Sequence, residues 1–450
     1  MKIVVMGAGK VGQTICSDLS EESYDITLIE KKDNILQEVI IKNDVNGVLG
    51  NGASYDIQKE AGVDKTDVFI AVTENDELNM IACVLAKNIG AEYTIARVRS
   101  HEYSELSSLM KKSLGIDYLI NPELQAAETI SRLIEFPQAY SYESFAYKKA
   151  PIVEMKVSKN SNLVLSNLYE FRERYNNIII CCANEFGEVF IPKGNYKIKE
   201  GSNIFVTGPI KELNKLFREN RQENTKIKSA FIIGGGLITI YLLRILRNFK
   251  TKVKVIELDV EKARKLSSQF PDIKVINDDG TSLDCLKEQR AQNYDSLISL
   301  TGIDEENIII SMVANNLGIK KILTKVNRTE LLGVVDTVGL QSVITPKRIV
   351  ADGIVQIVRS LDNALGSNIE TLHTIAEGKV EALQFIVSNN SRLTGIKIKD
   401  LNIIEDILLA YIYRDGEVIF PKGDDILKNK DRVLVISKVG KLKDLNEILR

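Results

Sequence analysis

Short apolar runs alternate with stretches of helical period twice along this chain. In the first half the runs are Ile3–Met6, Ile26–Glu30, Gly47–Leu49, Val68–Val72 and Thr94–Val98, and a matching series fills residues 230–345. Val/Ile-rich strands separated by amphipathic helices predict a parallel sheet with crossover helices. Two other segments carry a different pattern. Ile152–Val157, Ile178–Cys182, Val189–Ile191 and Ile204–Thr207 predict strands around one helix near Leu168–Tyr175. Asn184–Gly187 and Asp415-Gly416 are turn chemistry between paired strands. The predicted fold class is α/β: two Rossmann-like, doubly wound parallel-sheet domains, each followed by a small α+β domain. The boundaries read 1–122, 138–222, 228–346 and 368–450, with Asn220–Lys228 as the joint between halves.

The two halves are copies. Ile3–Gly12 reads IVVMGAGKVG and Phe231–Ile240 reads FIIGGGLITI, each an apolar strand running into a glycine turn and then a helix. Glu30 and Glu257 close the next strand at the same offset from Gly7 and Gly234. Gly50–Ser54 pairs with Asp278–Ser282. Thr73–Asn79 and Thr301–Asn307 share the spacing T-x-x-D-E-x-N. Arg97-Val98 aligns with Lys325-Val326, and the hairpin Gly187–Gly194 with Gly416–Gly423. Repetition on this scale fixes the architecture before any single motif is weighed.

The chemistry of the repeat points to nucleotides. Gly7 permits the tight turn, Gly9 lets the backbone approach a pyrophosphate, and Gly12 lets the helix close on the sheet. The helix N-terminus through Lys10 and Val11 offers free N–H groups to phosphate. Glu30 suits the ribose hydroxyls, and a carboxylate there repels a 2′-phosphate, favouring NAD or an adenine nucleotide over NADP. In the second copy Gly234, Gly235, Gly236, Leu237 and Ile238 keep the turn and Glu257 keeps the acid, but Thr239 replaces the third glycine. A β-branched residue there predicts a helix standing slightly further from the strand. Thr73 and Thr301 end strands where ligands bind in open parallel sheets. Asn51 and Asp279 follow the third strands, within reach of an adenosine. Arg97 and Lys325 end the fifth strands, where a cation suits a polyphosphate or simply a solvated surface; Arg99 points the same way as Arg97. Asp76, Glu77 and Asn79 read equally as helix capping and first-turn charge.

Composition narrows the function. The 450 residues carry 59 Lys plus Arg against 61 Asp plus Glu, a formal charge of -2 that gives no electrostatic footprint for nucleic acid. With 2 His and no Trp, the chain has little material for histidine catalysis or metal sites. Neither His101 nor His373 has a partner in sequence that makes an acid–base pair. The 5 cysteines form no C-x-x-C pair, and adjacent Cys181 and Cys182 are expected on opposite faces of a strand. The longest apolar run, Ser229–Leu243, is too short to span a bilayer and is broken by glycines. A reduced, cytoplasmic protein is the expectation.

Taken together, the two glycine turns, the strand-end acids, the T-x-x-D-E-x-N segments and the [IF]-P-K-G hairpins resemble the TrkA family, peripheral regulatory subunits of bacterial Trk potassium uptake. The resemblance covers the whole chain. It makes the larger domains RCK (KTN, TrkA-N) domains and the smaller ones TrkA-C domains. It implies binding of NAD(H) and ATP/ADP, a homotetrameric ring, and docking at the inner face of the membrane on a potassium channel subunit of the TrkH or TrkG type. It assigns Gly7–Val11 (with Ala8), Glu30, Thr73, Glu74 and Arg97 to one site, and Gly234–Ile238, Glu257, Thr301 and Lys325 to the other. Thr239 and Asn51, the latter where an acid is usual, depart from the family pattern. The alternatives are an NAD-dependent oxidoreductase, which needs an acid–base pair, and a regulator of a different cation transporter.

Overall fold

The computed structural model describes the chain apart from residues 23, 106–110, 112, 144, 146–148, 160, 165, 186, 221–225, 341, 365–367, 377, 439–441 and 443. The first sheet comprises β1 (Lys2–Met6), β2 (Asp25–Glu30), β3 (Asn46–Leu49), β4 (Val68–Ala71), β5 (Tyr93–Arg97) and β6 (Tyr118–Ile120). All pairs are parallel, in the order β3-β2-β1-β4-β5-β6. The order reverses between β1 and β4, and the crevice beyond their carboxyl ends is where such sheets take ligands. β1 and β4 are apolar almost throughout because helices cover both faces.

The first small sheet is antiparallel: β7 (Tyr142–Glu143), β8 (Ile152–Lys156), β9 (Ile179–Glu185), β10 (Glu188–Phe190) and β11 (Asn203–Thr207), in the order β10-β9-β11-β8-β7. Besides the expected helix, Leu168–Arg174, there is a second, Ile210–Glu219, whose Leu213, Leu216 and Phe217 form a buried stripe. Most of the expected joint Asn220–Lys228 lies outside the described residues. Asn220 itself is buried and accepts from the Ser158 amide while donating to the Lys156 carbonyl, so it belongs to the small domain.

The second half repeats both arrangements. β12 (Ser229–Ile233), β13 (Lys252–Glu257), β14 (Lys274–Asn277), β15 (Ser296–Ser299), β16 (Lys321–Lys325) and β17 (Val343–Ile344) form a parallel sheet ordered β14-β13-β12-β15-β16-β17. β18 (Ile369–Ile375), β19 (Val380–Ile386), β20 (Ile407–Arg414), β21 (Glu417–Ile419) and β22 (Arg432–Ser437) form an antiparallel sheet with the order of the first small one. Asp415 and Gly416 both adopt positive φ, 50° and 86°, as the two-residue turn between β20 and β21 requires. The fold class is the one expected.

The packing groups like with like. One compact unit contains Met1–Ser131 and Ile227–Val358, the other Arg132–Lys226 and Arg359–Arg450. In the second unit the two small sheets share one core, in which Cys181, Cys182, Phe205 and Ile152 meet Ala410, Tyr411, Leu434 and Ile436. The contact is reciprocal: Lys149 donates to the Gly416 carbonyl and Lys379 to the Gly187 carbonyl, each lysine reaching the other domain's hairpin. Cys181 and Cys182 do not point to opposite faces, because a β-bulge interrupts β9. Phe205 pairs with Cys182 and Val206 with Ile180, which leaves Cys181 as the extra residue and turns both thiols into the shared core. The same irregularity recurs at Ala410 in β20.

In the first unit Lys321, at the start of β16, is fully buried and donates to Ser342 Oγ at 2.9 Å. Burial pulls its ammonium down to about 7. Unfolding returns it to its ordinary range, so the unfolded chain binds the extra proton between pH 7 and about 10, and this group's penalty shrinks as pH rises through that window. Lys321→Met is therefore expected to stabilise the protein at pH 7. The difference from the native chain should narrow by up to about 1.4 kcal/mol per pH unit towards pH 8.5, read from urea unfolding at each pH.

Candidate functional site

The glycine turn follows directly from the chain path between β1 and the helix Lys10–Glu21. Gly7 has φ +104°, and a side chain there would press on Thr73 at the end of β4, its Cβ meeting Thr73 Cγ2 at 3.0 Å. A Cβ on Gly12 would lie 1.9 Å from the Gly7 carbonyl oxygen, so only glycine lets this helix start so close to the strand. Gly9 is the N-cap, with extended backbone and no side-chain cap, and a Cβ on it would meet nothing within 4 Å. The first-turn amides thus face open space, the cradle that a pyrophosphate fits.

The second turn solves the same problem with Thr239. Its hydroxyl donates to the Gly234 carbonyl at 2.5 Å, so the side chain that would clash in the first copy becomes a hydrogen bond in the second. Gly234 keeps positive φ at 101°, and Gly236 repeats the uncapped, open N-cap. Leu237 is exposed at the helix start and Ile238 is buried.

Both strand-end acids are fastened to their turns. Glu30 Oε2 accepts from the Ala8 amide at 2.8 Å, and Oε1 from the Lys31 and Lys32 amides. Glu257 Oε2 accepts from the Gly235 amide at 2.5 Å and Oε1 from that of Asp259. Each oxygen is held in place beside the glycine turn, and neither carboxylate has an ion-pair partner among the described residues. Asn51 and Asp279 sit in the turns after β3 and β14, where their side chains accept from the Ala53 and Thr281 amides. Both are exposed.

The T-x-x-D-E-x-N segment divides into structural and open groups. Asn79 is fully buried: its oxygen accepts from the Thr73 amide and hydroxyl, and its NH2 donates to the Thr73 and Arg97 carbonyls. Asn307 repeats the amide and carbonyl bonds towards Thr301 and Lys325, while the Thr301 hydroxyl donates to the Ile303 carbonyl. These asparagines clamp the ends of β4 to β5 and β15 to β16. Asp76 accepts from the Arg99 and Ser100 amides and Asp304 from those of Asn327 and Arg328, which fixes the chain just beyond β5 and β16. Neither Asp is the helix cap; in the first copy that role falls to Asn75. Thr73 donates its hydroxyl proton to Asn79, and its hydroxyl oxygen accepts from the Asn75 amide at 3.3 Å. The signal for this clamp was the identity of both copies at the Asp and Asn positions.

The cations at the strand ends remain open. Arg97 is half-buried, with Nη1 3.4 Å from the Thr73 carbonyl and Nε buried without a partner. The Lys325 ammonium has no hydrogen bond or ion pair among the described residues, and burial lowers it from the usual lysine range. Arg99 is different: its guanidinium lies 3.7 Å from Asp76 and donates to the Glu74 carbonyl. The Glu74 side chain is exposed.

Sequence reasoning missed Glu123 and Lys347, the second residues of the helices Pro122–Glu135 and Pro346–Ala364. Burial raises Glu123, against the nearby charge of Arg97, and Glu123 Oε2 is buried without a hydrogen bond. Burial lowers Arg97 and raises Glu123, in each case against the attraction of the other's charge. Unpaired buried polar atoms of opposite sign beside a glycine turn mark an unfinished polar site. The signal was positional: Asn121-Pro122-Glu123 and Thr345-Pro346-Lys347 open equivalent helices after β6 and β17. The two Rossmann domains meet next to this cluster. Tyr241 of the second donates to the Arg99 carbonyl at 2.8 Å, accepts from Asn121 at 2.7 Å, and stacks on His101. His101 is therefore a packing residue, and His373 lies 3.3 Å from Glu143 against the edge of Phe145.

Comparison with known proteins now has a site to attach to. The TrkA-N domain family matches residues 3–122 and 230–346, and the TrkA-C domain family matches residues 152–220 and 382–450. The chain is 30% identical to the Trk system potassium uptake protein TrkA homolog of Archaeoglobus fulgidus over 453 residues, 100% of each chain. It is 30% identical to the Trk system potassium uptake protein TrkA of Vibrio alginolyticus over 441 residues, 97% of this chain and 95% of that one. Among solved structures, the GsuK channel bound to NAD aligns over 97% of this chain and 76% of its own with a TM-score of 0.64 at 16% identity, a likeness of fold. With both domain types matched in tandem and relatives aligned from end to end, the chain belongs to the TrkA family of potassium uptake proteins.

Proposed function

We propose that this chain is the nucleotide-sensing, cytoplasmic subunit of a Trk-type potassium uptake system, which gates a membrane channel subunit of the TrkH or TrkG type from a homotetrameric ring. Membership of the family makes it a regulatory potassium-transport subunit and sets aside the dehydrogenase alternative. Among the described residues no helix is long and apolar enough to cross a membrane, so attachment to the bilayer falls to a partner protein. The observation that carries the nucleotide reading is the pair of open glycine turns, each with a strand-end carboxylate held beside it.

The proposal divides the labour among these residues. The amides after Gly9 and Gly236 take a pyrophosphate, Glu30 and Glu257 take ribose hydroxyls, and Asn51 and Asp279 stand by the adenosine end. Arg97 and Lys325 balance phosphate charge at the strand ends. NAD(H) and ATP/ADP share the adenosine pyrophosphate that these groups recognise, and the NAD-bound GsuK channel supports that ligand class on this fold. Such a ligand, when bound, supplies the concentrated negative charge that Arg97, Lys325 and their neighbours lack. It switches the ring only in so far as it binds one arrangement of the domains better than another. Potassium uptake in cells carrying Gly9→Asp in place of the native chain tests the function. With Gly236→Asp added, so that both turns are blocked, uptake should lose its dependence on cellular ATP and ADP levels; unchanged nucleotide dependence in that chain would refute the gating role.

A further inference from the structure

The amino ends of the two parallel sheets are built alike but carry opposite charge. Lys228 precedes β12, and Lys252 and Lys274 open β13 and β14, so a lysine stands at the start of three neighbouring strands. The Lys252 amide donates to the Lys228 carbonyl at 2.8 Å, which sets the first two side by side. Beside them lies a groove of about 320 Å³, with Leu243, Leu246, Val253 and Ile273 in its lining. Arg247, Lys250, Lys252 and Lys274, all exposed, complete that lining together with Thr251 and Asp272. Asp272, the one acid among the described lining residues, pairs with Arg247 at 2.6 Å. Phe249, in the turn before β13, is 45% exposed.

The fold does not require these cations. In the first half Asp25 opens β2 where Lys252 opens β13, Asn46 opens β3 where Lys274 opens β14, and Glu22 holds the place of Phe249. Glu21, Asp25 and Asp44 are exposed along that edge. Ile41, in the last turn of the helix Asp33–Lys42 that leads into it, is 82% exposed. One edge thus offers a protruding apolar side chain with carboxylates, the other an apolar groove with cations. Like charges gathered at an exposed edge repel, and a surface of opposite sign relieves them. Both edges face solvent within one chain, so they can meet only between copies.

We propose that the basic amino edge of the second Rossmann domain docks on the acidic amino edge of the first Rossmann domain of another copy, with Ile41 over the apolar groove. Each chain carries one edge of each kind, so the contact is heterologous and runs head to tail until the assembly closes. This deepens the self-assembly proposed above and rests on it, but not on nucleotide binding.

Sedimentation velocity of the full chain over a range of concentration tests it. Lys252→Asp with Lys274→Asp reverses one edge, and Glu21→Lys with Asp25→Lys the other. At Asp25 and Lys252 each substitution installs the residue that the other copy of the fold already carries. Either pair should raise the concentration of half-assembly at least about tenfold, and raising salt should weaken the native assembly. All four substitutions together should restore assembly to within about threefold of native, which separates a lost contact from a lost fold. Native assembly in either reversed chain, or no recovery in the fourfold variant, overturns the proposal while leaving self-assembly standing. So does unchanged assembly combined with lost binding to phosphatidylserine vesicles on reversing the basic edge, which would assign that edge to a membrane. A native chain that stays monomeric throughout overturns the self-assembly and the proposal with it.

Discussion

Gly9→Asp is expected to abolish nucleotide binding in the first half and leave the fold intact. Gly9 is an N-cap with φ -65° and ψ 175°, a conformation open to any residue, and a side chain there meets nothing within 4 Å. Aspartate is among the best N-caps, since its carboxylate accepts from the first-turn amides. Those are the amides offered to the pyrophosphate, so the new cap occupies the phosphate position and adds a negative charge to it. Affinity for ATP or NAD at this site should fall by on the order of a hundredfold, about 2.7 kcal/mol. The thermal midpoint should stay level or rise slightly. A variant that binds normally would show that the turn does not hold phosphate.

Asn79→Ala is expected to be the most destabilising single change near the site. The side chain is fully buried and bonds the Thr73 amide, hydroxyl and carbonyl together with the Arg97 carbonyl. Alanine leaves buried backbone groups of β4 and β5 unsatisfied, at about 1–3 kcal/mol each, for a total on the order of 2–4 kcal/mol after partial hydration. It also frees the strand ends that carry Thr73 and Arg97, so nucleotide affinity should fall with stability. Asn307→Ala should reproduce the effect in the second half. Urea unfolding of the first unit checks the first part, and a shift under about 0.5 kcal/mol would refute the clamp.

These residues show how far the sequence carried. The duplication exposed the parallel sheets, the small antiparallel domains and the glycine turns, because strand alternation and turn chemistry are local signals repeated twice. Glu30 and Glu257, which a local motif singles out, accept from the Ala8 and Gly235 amides of their glycine turns. Less was legible where the reason lies across the fold. Asn79 looks like a first-turn polar residue until β5 is laid beside β4. Thr239 reads as a steric defect until its hydroxyl finds the Gly234 carbonyl. Cys181 and Cys182 obey strand alternation only if no bulge intervenes, and the bulge is set by pairing with β11. Glu123 and Lys347 carry no motif at all; their meaning comes from the packing of two domains that lie far apart in sequence. The shared core of the small domains was likewise invisible, since each half alone predicts its own buried face.

The most direct test is a count of bound nucleotide. Equilibrium dialysis of labelled ATP and NAD against the full chain should give saturable binding at both glycine turns in the native protein. One site should be lost in Gly9→Asp, and both in the chain that also carries Gly236→Asp. Undiminished binding in the doubly substituted, folded chain would contradict the account, because the glycine turns would then not be where nucleotide acts.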